Sequence, residues 1–274
     1  MTNPLSISYY TSPDLSLSEV IECASNNNCK YIGVRMLSNQ PGINEMPVLY
    51  NKLYRNEIKK KLDYHGIKCL DANTLRVIKS SNPKDYLNFF DCAYDLKCTF
   101  ILATIDDADE SRVIDKLNIL SEMAKDRNIS IEIEFVPWLK INNITSAYDL
   151  IKKSKAKNLG IAIDALHFFR SGSSLKLLKS IPTKYLRYFH ICDARKTLSI
   201  LSKEDLIFEA TKNRLLPGDG DIKLKEIIEI LPKGIPFAIE IPQLIKNSTT
   251  INNKIYLEKL IFSIRNYLKK IDTM

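Results

Sequence analysis

Eight short apolar runs, each followed by a segment of helical periodicity, constrain this chain more than any other feature. They lie at residues 5–10, 31–36, 67–72, 98–104, 129–136, 159–166, 186–192 and 236–241. Each is rich in β-branched or other apolar residues and gives way to a polar or turn-forming stretch, as buried strands do. The segments between them carry helix signals. Ser16 and Glu19 have capping-box spacing ahead of Val20, Ile21 and Ala24. Asn82-Pro83 reads as a cap and first helical residue before Tyr86, Phe89, Phe90 and Ala93. Val113, Leu117, Leu120 and Ala124 keep one helical face. A last helix over residues 254–270 sets Leu257, Leu260, Ile261, Ile264 and Leu268 on one side.

Strand alternating with helix implies a parallel sheet. Eight such units in 274 residues fit a closed (β/α)₈ TIM barrel, an α/β fold expected to form one domain over residues 1–274. A doubly wound sheet would want a glycine-rich turn after an early strand, and the eight glycines form neither GxGxxG nor GxxxxGK[ST]. There is no apolar run of about 18 residues to span a membrane. The N-terminus has no basic stretch leading into an apolar one. Six cysteines form no CxxC pair, so the expectation is a cytoplasmic protein with reduced thiols. The net charge of +8 comes from scattered lysines rather than one aromatic-lined stripe, which argues for solvated helix faces and against a nucleic-acid surface.

The chemistry gathers in the second half. Strand five ends IEIEFVPW, strand six IAIDALHFF, strand seven RYFHICDA and strand eight FAIEIPQ. The two-residue period places Glu134, Asp164, His190 and Glu240 on the faces of Glu132, Ala162, Tyr188 and Ala238, pointing inward at the mouth where barrel catalytic groups sit. Their spacings are 30, 26 and 50 residues. The first two are single βα units, and the third is enlarged by residues 196–221, in the place of a loop over the mouth. Three carboxylates crowded together raise one another's pKa and destabilise a core unless a cation joins them. With one imidazole they suit a single divalent ion such as Mn²⁺, Mg²⁺, Co²⁺ or Zn²⁺.

Other residues carry smaller expectations. Glu132 faces the interior one layer deeper and wants a cation, Arg35 or another. Trp138 either walls the pocket and meets substrate or packs its own loop. Arg170 is expected to anchor Asp or carbonyl groups on its own loop rather than a phosphate. Asp219 and Asp221 are turn residues first, and His65 before Gly66 ends a helix.

The segments E-F-x-P-W from Glu134, N-L-G-I-x-x-D-x-x-H-x-x-R from Asn158, H-I-x-D-A from His190, R-x-x-P-G-D-G-D-I from Arg214 and I-E-I-P from Ile239 follow in that order. In them the chain resembles the xylose isomerase-like TIM-barrel superfamily, and within it the sugar phosphate isomerase/epimerase group. The resemblance implies a metal on the same four residues, with Glu134 and Glu240 also working as acid and base beside a carbonyl. It implies that His167 contacts a substrate oxygen, that Asp193 lies behind the ligands, and that Arg214 reaches the substrate from the loop over the mouth. Epimerases of the group carry a substrate-binding arginine six residues after the ligand histidine. Here that position is Lys196, with Arg195 one residue early, so the charge survives without the two-pronged donor.

The activity implied is a metal-dependent isomerase or epimerase of a sugar or sugar phosphate, working by proton transfer through an enediolate. Its partner is a small sugar-like molecule, not nucleic acid or a membrane, and homo-oligomer formation stays open. The alternatives are a dehydratase of a cyclic polyol or dehydroshikimate-like substrate on the same site, and a barrel that binds a metabolite without catalysis. Some dehydratases of the group place a histidine base two residues after the strand-five glutamate, where this chain has Val136. Apurinic-site endonucleases share the fold, but their three-zinc cluster needs more histidines than His65, His167 and His190.

Overall fold

The computed structural model describes residues 3–38, 46–243 and 249–273. Eight parallel strands close on themselves in chain order. They are β1 (Leu5–Ile7), β2 (Tyr31–Arg35), β3 (Lys68–Ile78), β4 (Phe100–Asp106), β5 (Ser130–Glu134), β6 (Leu159–Asp164), β7 (Leu186–Ile191) and β8 (Phe237–Ile239). β8 pairs with β1 through Leu5–Phe237, Ser6–Ala238 and Ile7–Ile239, which leaves no open sheet edge. Helices cover the outside because parallel neighbours can be joined only by a crossover.

All eight expected strands are present, and the main departure in length is β3. It was expected to stop at Ala72 but pairs with β4 as far as Ile78–Asp106. After a register shift between Ala72 and Leu75, the run Thr74-Leu75-Arg76-Val77-Ile78 resumes the alternation of a strand in the opposite phase to Asp71 and Asn73. Leu75 and Val77 are enclosed under the helices, so Thr74 and Arg76 face the barrel mouth.

The helix signals act as read. Ser16 accepts from the Glu19 backbone while the Glu19 carboxylate accepts from Ser16, completing a capping box for helix Leu17–Asn26. Asn82 caps a short 3-10 turn, Pro83–Tyr86, that leads into helix Leu87–Asp95. Gly66, at φ 65°, ends helix Lys52–His65 in the left-handed region that glycine adopts without a Cβ penalty. Helix Thr250–Asp272 closes the ring by burying Leu257, Leu260, Ile261 and Ile264. Among the described residues no helix is long and apolar enough to cross a membrane, and all six cysteines are free and buried.

The apolar core has two layers. One lies between sheet and helices. The other fills the barrel with Leu70, Phe100, Leu102, Ala162, Tyr188 and Ala238, where Phe100 stacks on Tyr188 at 5.3 Å. Burying such a side chain contributes about 2 kcal/mol, and the plug gives the mouth a solid floor.

Glu132 lies within this floor, fully buried, and its partner is Arg187 rather than Arg35. Arg187 Nη1 donates to Glu132 Oε1 at 2.6 Å. The reason is depth. Arg187 stands at the start of β7, level with the lower layer, whereas Arg35 ends β2 at the mouth. There Arg35 donates to Leu37 O at 2.5 Å and to the Tyr10 hydroxyl at 2.8 Å. Gly160 pairs with Glu132 across β5 and β6, and the carboxylate lies where a side chain at 160 would begin.

Candidate metal and substrate site

Glu134 is the last residue of β5, Asp164 the last of β6, His190 the next to last of β7, and Glu240 follows β8. The period of two turns each inward at the same height, and one potential ligand atom from each lies within 4.8 Å of the others. His190 Nδ1 is their common neighbour, 3.2 Å from Glu134 Oε1, 3.3 Å from Glu240 Oε2 and 3.6 Å from Asp164 Oδ2. All four are buried. Local structure holds two of them in orientation. Asp164 is also the cap of helix Ala165–Arg170 and accepts from the His167 backbone at 2.8 Å. Glu240 accepts from the Ser8 hydroxyl at 2.7 Å.

Arg214 joins this cluster. The expectation was a loop arginine reaching for substrate. The side chain is instead 3% exposed, with Nη1 2.5 Å from Asp164 Oδ2 and Nη2 3.1 Å from Glu240 Oε2. The Ala210 carbonyl fixes its Nε at 2.9 Å. Arg214 still lines the cavity, but its donors are directed at two carboxylates.

Burial and charge act against each other here. Burial pushes the Glu134 carboxyl up to about 7, against His190, which lowers it, while Glu240 and Asp164 add to the rise. Burial alone would raise Asp164, but Arg214, His167 and His190 hold it well below the carboxylate range. Burial opposes a charge on His190, yet Glu240, Asp164 and Glu134 raise it well above an ordinary imidazole. Three acids and one imidazole nitrogen converging in a closed space are a donor set for a divalent cation, and these residues fit one.

A cavity of about 230 Å³ opens above the cluster, with Glu134, Glu240, His167 and Trp138 in its walls. Trp138 therefore walls the cavity, and it also packs, edge-on to His167 at 5.3 Å. His167 is buried with no hydrogen-bond partner at Nδ1. Burial drives its pKa down to about 4, so the ring is neutral at pH 7. Residues 196–221 lie over the mouth as expected, folding into helix Lys203–Lys212 with Ile207, Ala210 and Thr211 against the cavity.

Asp193 serves this loop. Its carboxylate accepts from the backbones of Ala194, Gly218 and Ile222 at 2.8, 2.9 and 3.0 Å. A Cβ on Gly220 would stand 2.3 Å from Asp193 Oδ1, so the turn closes only with glycine there. Asp221 is part of the same turn and accepts from the Lys196 backbone at 2.7 Å. Arg170 anchors protein groups, though not those of its own loop and not an Asp: it donates to Glu209 at 2.5 and 2.6 Å and to the Arg195 carbonyl at 2.8 Å. The partner acid stands on the loop helix Lys203–Lys212, so this ion pair ties the helix Ala165–Arg170 to the loop over the mouth. Arg195 and Lys196 are exposed outside the cavity lining.

Several residues at the site were not singled out from the sequence. Thr74, Arg76 and Thr104 line the cavity opposite the cluster, and the polar positions alternating along β3 were the signal for the first two. Asp71 is buried beneath the cluster and accepts from Asn73 at 2.5 Å. Burial lifts its pKa to about 6. A Cβ on Gly33 would lie 2.8 Å from its Oδ1.

Comparison with known proteins agrees with this architecture. Inosose isomerase of Bacillus licheniformis is 32% identical over 128 residues, covering 46% of this chain and 43% of that protein. Its Bacillus subtilis counterpart is 31% identical over 114 residues, covering 40% and 38%. The chain thus matches about two-fifths of the length of these relatives. A crystal structure of IOLI protein with a zinc atom superimposes with a TM-score of 0.76 at 19% identity, covering 98% of this chain and 97% of that one. D-psicose 3-epimerase from Clostridium cellulolyticum H10 gives 0.74 at 15%, covering 98% and 99%. At these identities the superpositions speak for the fold. The sequence profile of the xylose isomerase-like TIM barrel matches residues 22–254, and the chain belongs to that family.

Proposed function

We propose that this chain is a metal-dependent isomerase or epimerase of a sugar-like hydroxyketone. The observation that carries the reading is that Glu134 and Glu240, from strands on different sides of the cluster, both reach His190 and both line one enclosed cavity. Two carboxylates facing one small volume are what moving a proton between faces or neighbouring carbons requires.

Glu134, Asp164, His190 and Glu240 would hold the ion, which when bound supplies Lewis acidity toward a substrate carbonyl. One glutamate takes the proton from the carbon beside the carbonyl, and the other returns a proton on the opposite face or to the adjacent carbon. His167, neutral and buried, offers a ring nitrogen to a substrate oxygen. Trp138 and helix Lys203–Lys212 keep water from the reacting carbons. Arg214 holds Asp164 and Glu240 in place, and Asp193 holds the turn that follows Arg214.

The relatives that carry the name inosose isomerase support a cyclic or open polyol ketone as the substrate class. Val136, where a dehydratase base would stand, lines the cavity and has no titratable group, which favours isomerisation over loss of water.

The test is turnover of hydroxyketones by metal-loaded protein in D₂O. Expected are an isomeric product with solvent deuterium at the carbon beside the carbonyl and no ultraviolet-absorbing enone. Glu134→Gln and Glu240→Gln should each lower kcat by about 10²- to 10⁴-fold. Full turnover by either variant would overturn the assignment.

A further inference from the structure

Two of the buried, free cysteines meet across the start of the β3–β4 ladder, at the end of the barrel away from the mouth. The register pairs Asp71 with Phe100, and two residues before each stand Cys69 and Cys98. Thr99 N donates to Cys69 O at 3.3 Å, a bond that sets Cys98 opposite Cys69 in a parallel ladder. Neighbouring strands lie about 4.8 Å apart. The two Cα atoms are therefore spaced within the range, roughly 4.4–6.8 Å, that a disulfide spans.

The side chains agree with the backbone. The Cys69 and Cys98 sulfurs are 2.7 Å apart, one thiol donating to the other, and both lie in the core layer between sheet and helices. A disulfide holds its sulfurs at about 2.05 Å, so they need to close by less than about 1 Å and neither strand has to move. Cys92, from helix Leu87–Asp95, is turned to another partner, the Val48 carbonyl at 3.3 Å.

We propose that Cys69 and Cys98 are an oxidisable dithiol, which a peroxide joins into a disulfide that stabilises the barrel. Hydrogen peroxide takes two electrons from the pair. One sulfur attacks a peroxide oxygen, the O–O bond breaks, and a sulfenic acid and one water result. The second sulfur attacks the sulfenic sulfur, the S–O bond breaks, and the oxygen leaves with the second thiol proton as another water. Two thiols and one peroxide thus give one disulfide and two waters. Burial holds the Cys69 thiol well above its ordinary pKa, and Cys98 adds to the rise. Thiolate is therefore scarce and the first step slow, whereas the second is fast because its partner is already in contact. The product closes a loop over residues 70–97 and so restricts the unfolded chain.

The test treats the reduced full chain with hydrogen peroxide, alkylates the remaining thiols with iodoacetamide and maps the peptides by mass spectrometry. Expected are a linked Cys69–Cys98 peptide, four alkylated cysteines in place of six, and recovery of both thiols with dithiothreitol. The linked protein should melt roughly 5–10 °C above the reduced one. Cys69→Ala and Cys98→Ala should each lose the link and the shift, and Cys92→Ala should keep both. Where a variant fails to fold, the wild-type peptide map decides alone. Sulfenic or sulfinic acid at either position without a link, a link between any other two cysteines, or six cysteines still alkylated overturns the pair. A link whose formation lowers Tm overturns the claim that it stabilises the barrel.

Discussion

Gly160→Ala probes the layer beneath the site. The new Cβ would stand 2.0 Å from Glu132 Oε2 and 2.8 Å from Oε1, against a closest approach near 3.0 Å. The carboxylate must retreat by about 1 Å. It is the far end of a flexible side chain, but Glu132 is fully buried and bonded to Arg187 at 2.6 Å. A retreat of that size takes the bond to roughly 3.6 Å, where it no longer counts as one. Separating a buried pair costs about 3–5 kcal/mol.

The lower end applies, for two reasons. Arg187 is partly exposed and keeps the Lys184 and Leu159 carbonyls as acceptors, and burial already lifts Glu132 to about 7, against the pull of Arg187, so a proton relieves part of the cost. About 3 kcal/mol corresponds to a fall in Tm of roughly 6–12 °C. The sign of the pH effect follows from linkage. A carboxyl with a raised folded pKa loses stability as pH climbs from its ordinary value to the folded one. Without Arg187 that folded value rises further, so the penalty should be larger at pH 8 than at pH 6. Urea and thermal unfolding at both pH values measure it, and Glu132→Ala in the Gly160→Ala background should recover stability by removing the clash. A Gly160→Ala protein within 0.5 kcal/mol of wild type at pH 8, or additive effects in the double variant, would refute the reasoning.

Three further outcomes are expected. Asp107 is held down to about 2, chiefly by hydrogen bonds from Arg112; its contribution is present above about pH 4 and lost as pH falls through 2, so the urea midpoints of wild type and Asp107→Asn should differ at pH 7 and converge toward pH 3. Divalent metal binding should release protons and weaken as pH falls below 7, read by calorimetry in buffers of different ionisation enthalpy; affinity independent of pH between 6 and 8 would contradict the charge balance of the cluster. Gly220→Ala should loosen the Asp193 turn and raise KM more than it lowers kcat, whereas unchanged kinetics would show that the turn tolerates a Cβ 2.3 Å from Asp193 Oδ1.

Strand positions and the four-residue cluster were legible because a βα repeat presents one inward residue at each strand end, and period two names it. Depth was not legible in the same way. The alternation puts Glu132 and Arg35 on inward faces, but only the barrel's register shows that one lies below the mouth and the other on its rim. Arg187 supplies the missing cation from the start of a strand, a position that gives no hint of reaching a neighbour two strands away. Arg214 was placed in the right loop with the wrong contacts, since its engagement with Asp164 and Glu240 depends on how residues 196–221 fold back. Arg76 was missed because Asp71 and Asn73 mimic the polar end of a strand that in fact continues.

The charges of the cluster explain why Arg214 belongs in it. With a proton on His190 and one on Glu134, both favoured by their surroundings, Asp164 and Glu240 are balanced by His190 and Arg214. Exchange those two protons for a divalent ion and three carboxylates face the ion and Arg214, balanced again. The guanidinium is the constant in both states, offsetting the acid that neither the protons nor the ion neutralises. An exchange that leaves net charge unchanged spares the buried floor, with Asp71 and Glu132 close beneath, any new uncompensated charge. Proton release should therefore approach two per ion below pH 7 and fall toward one as pH rises through the Glu134 value.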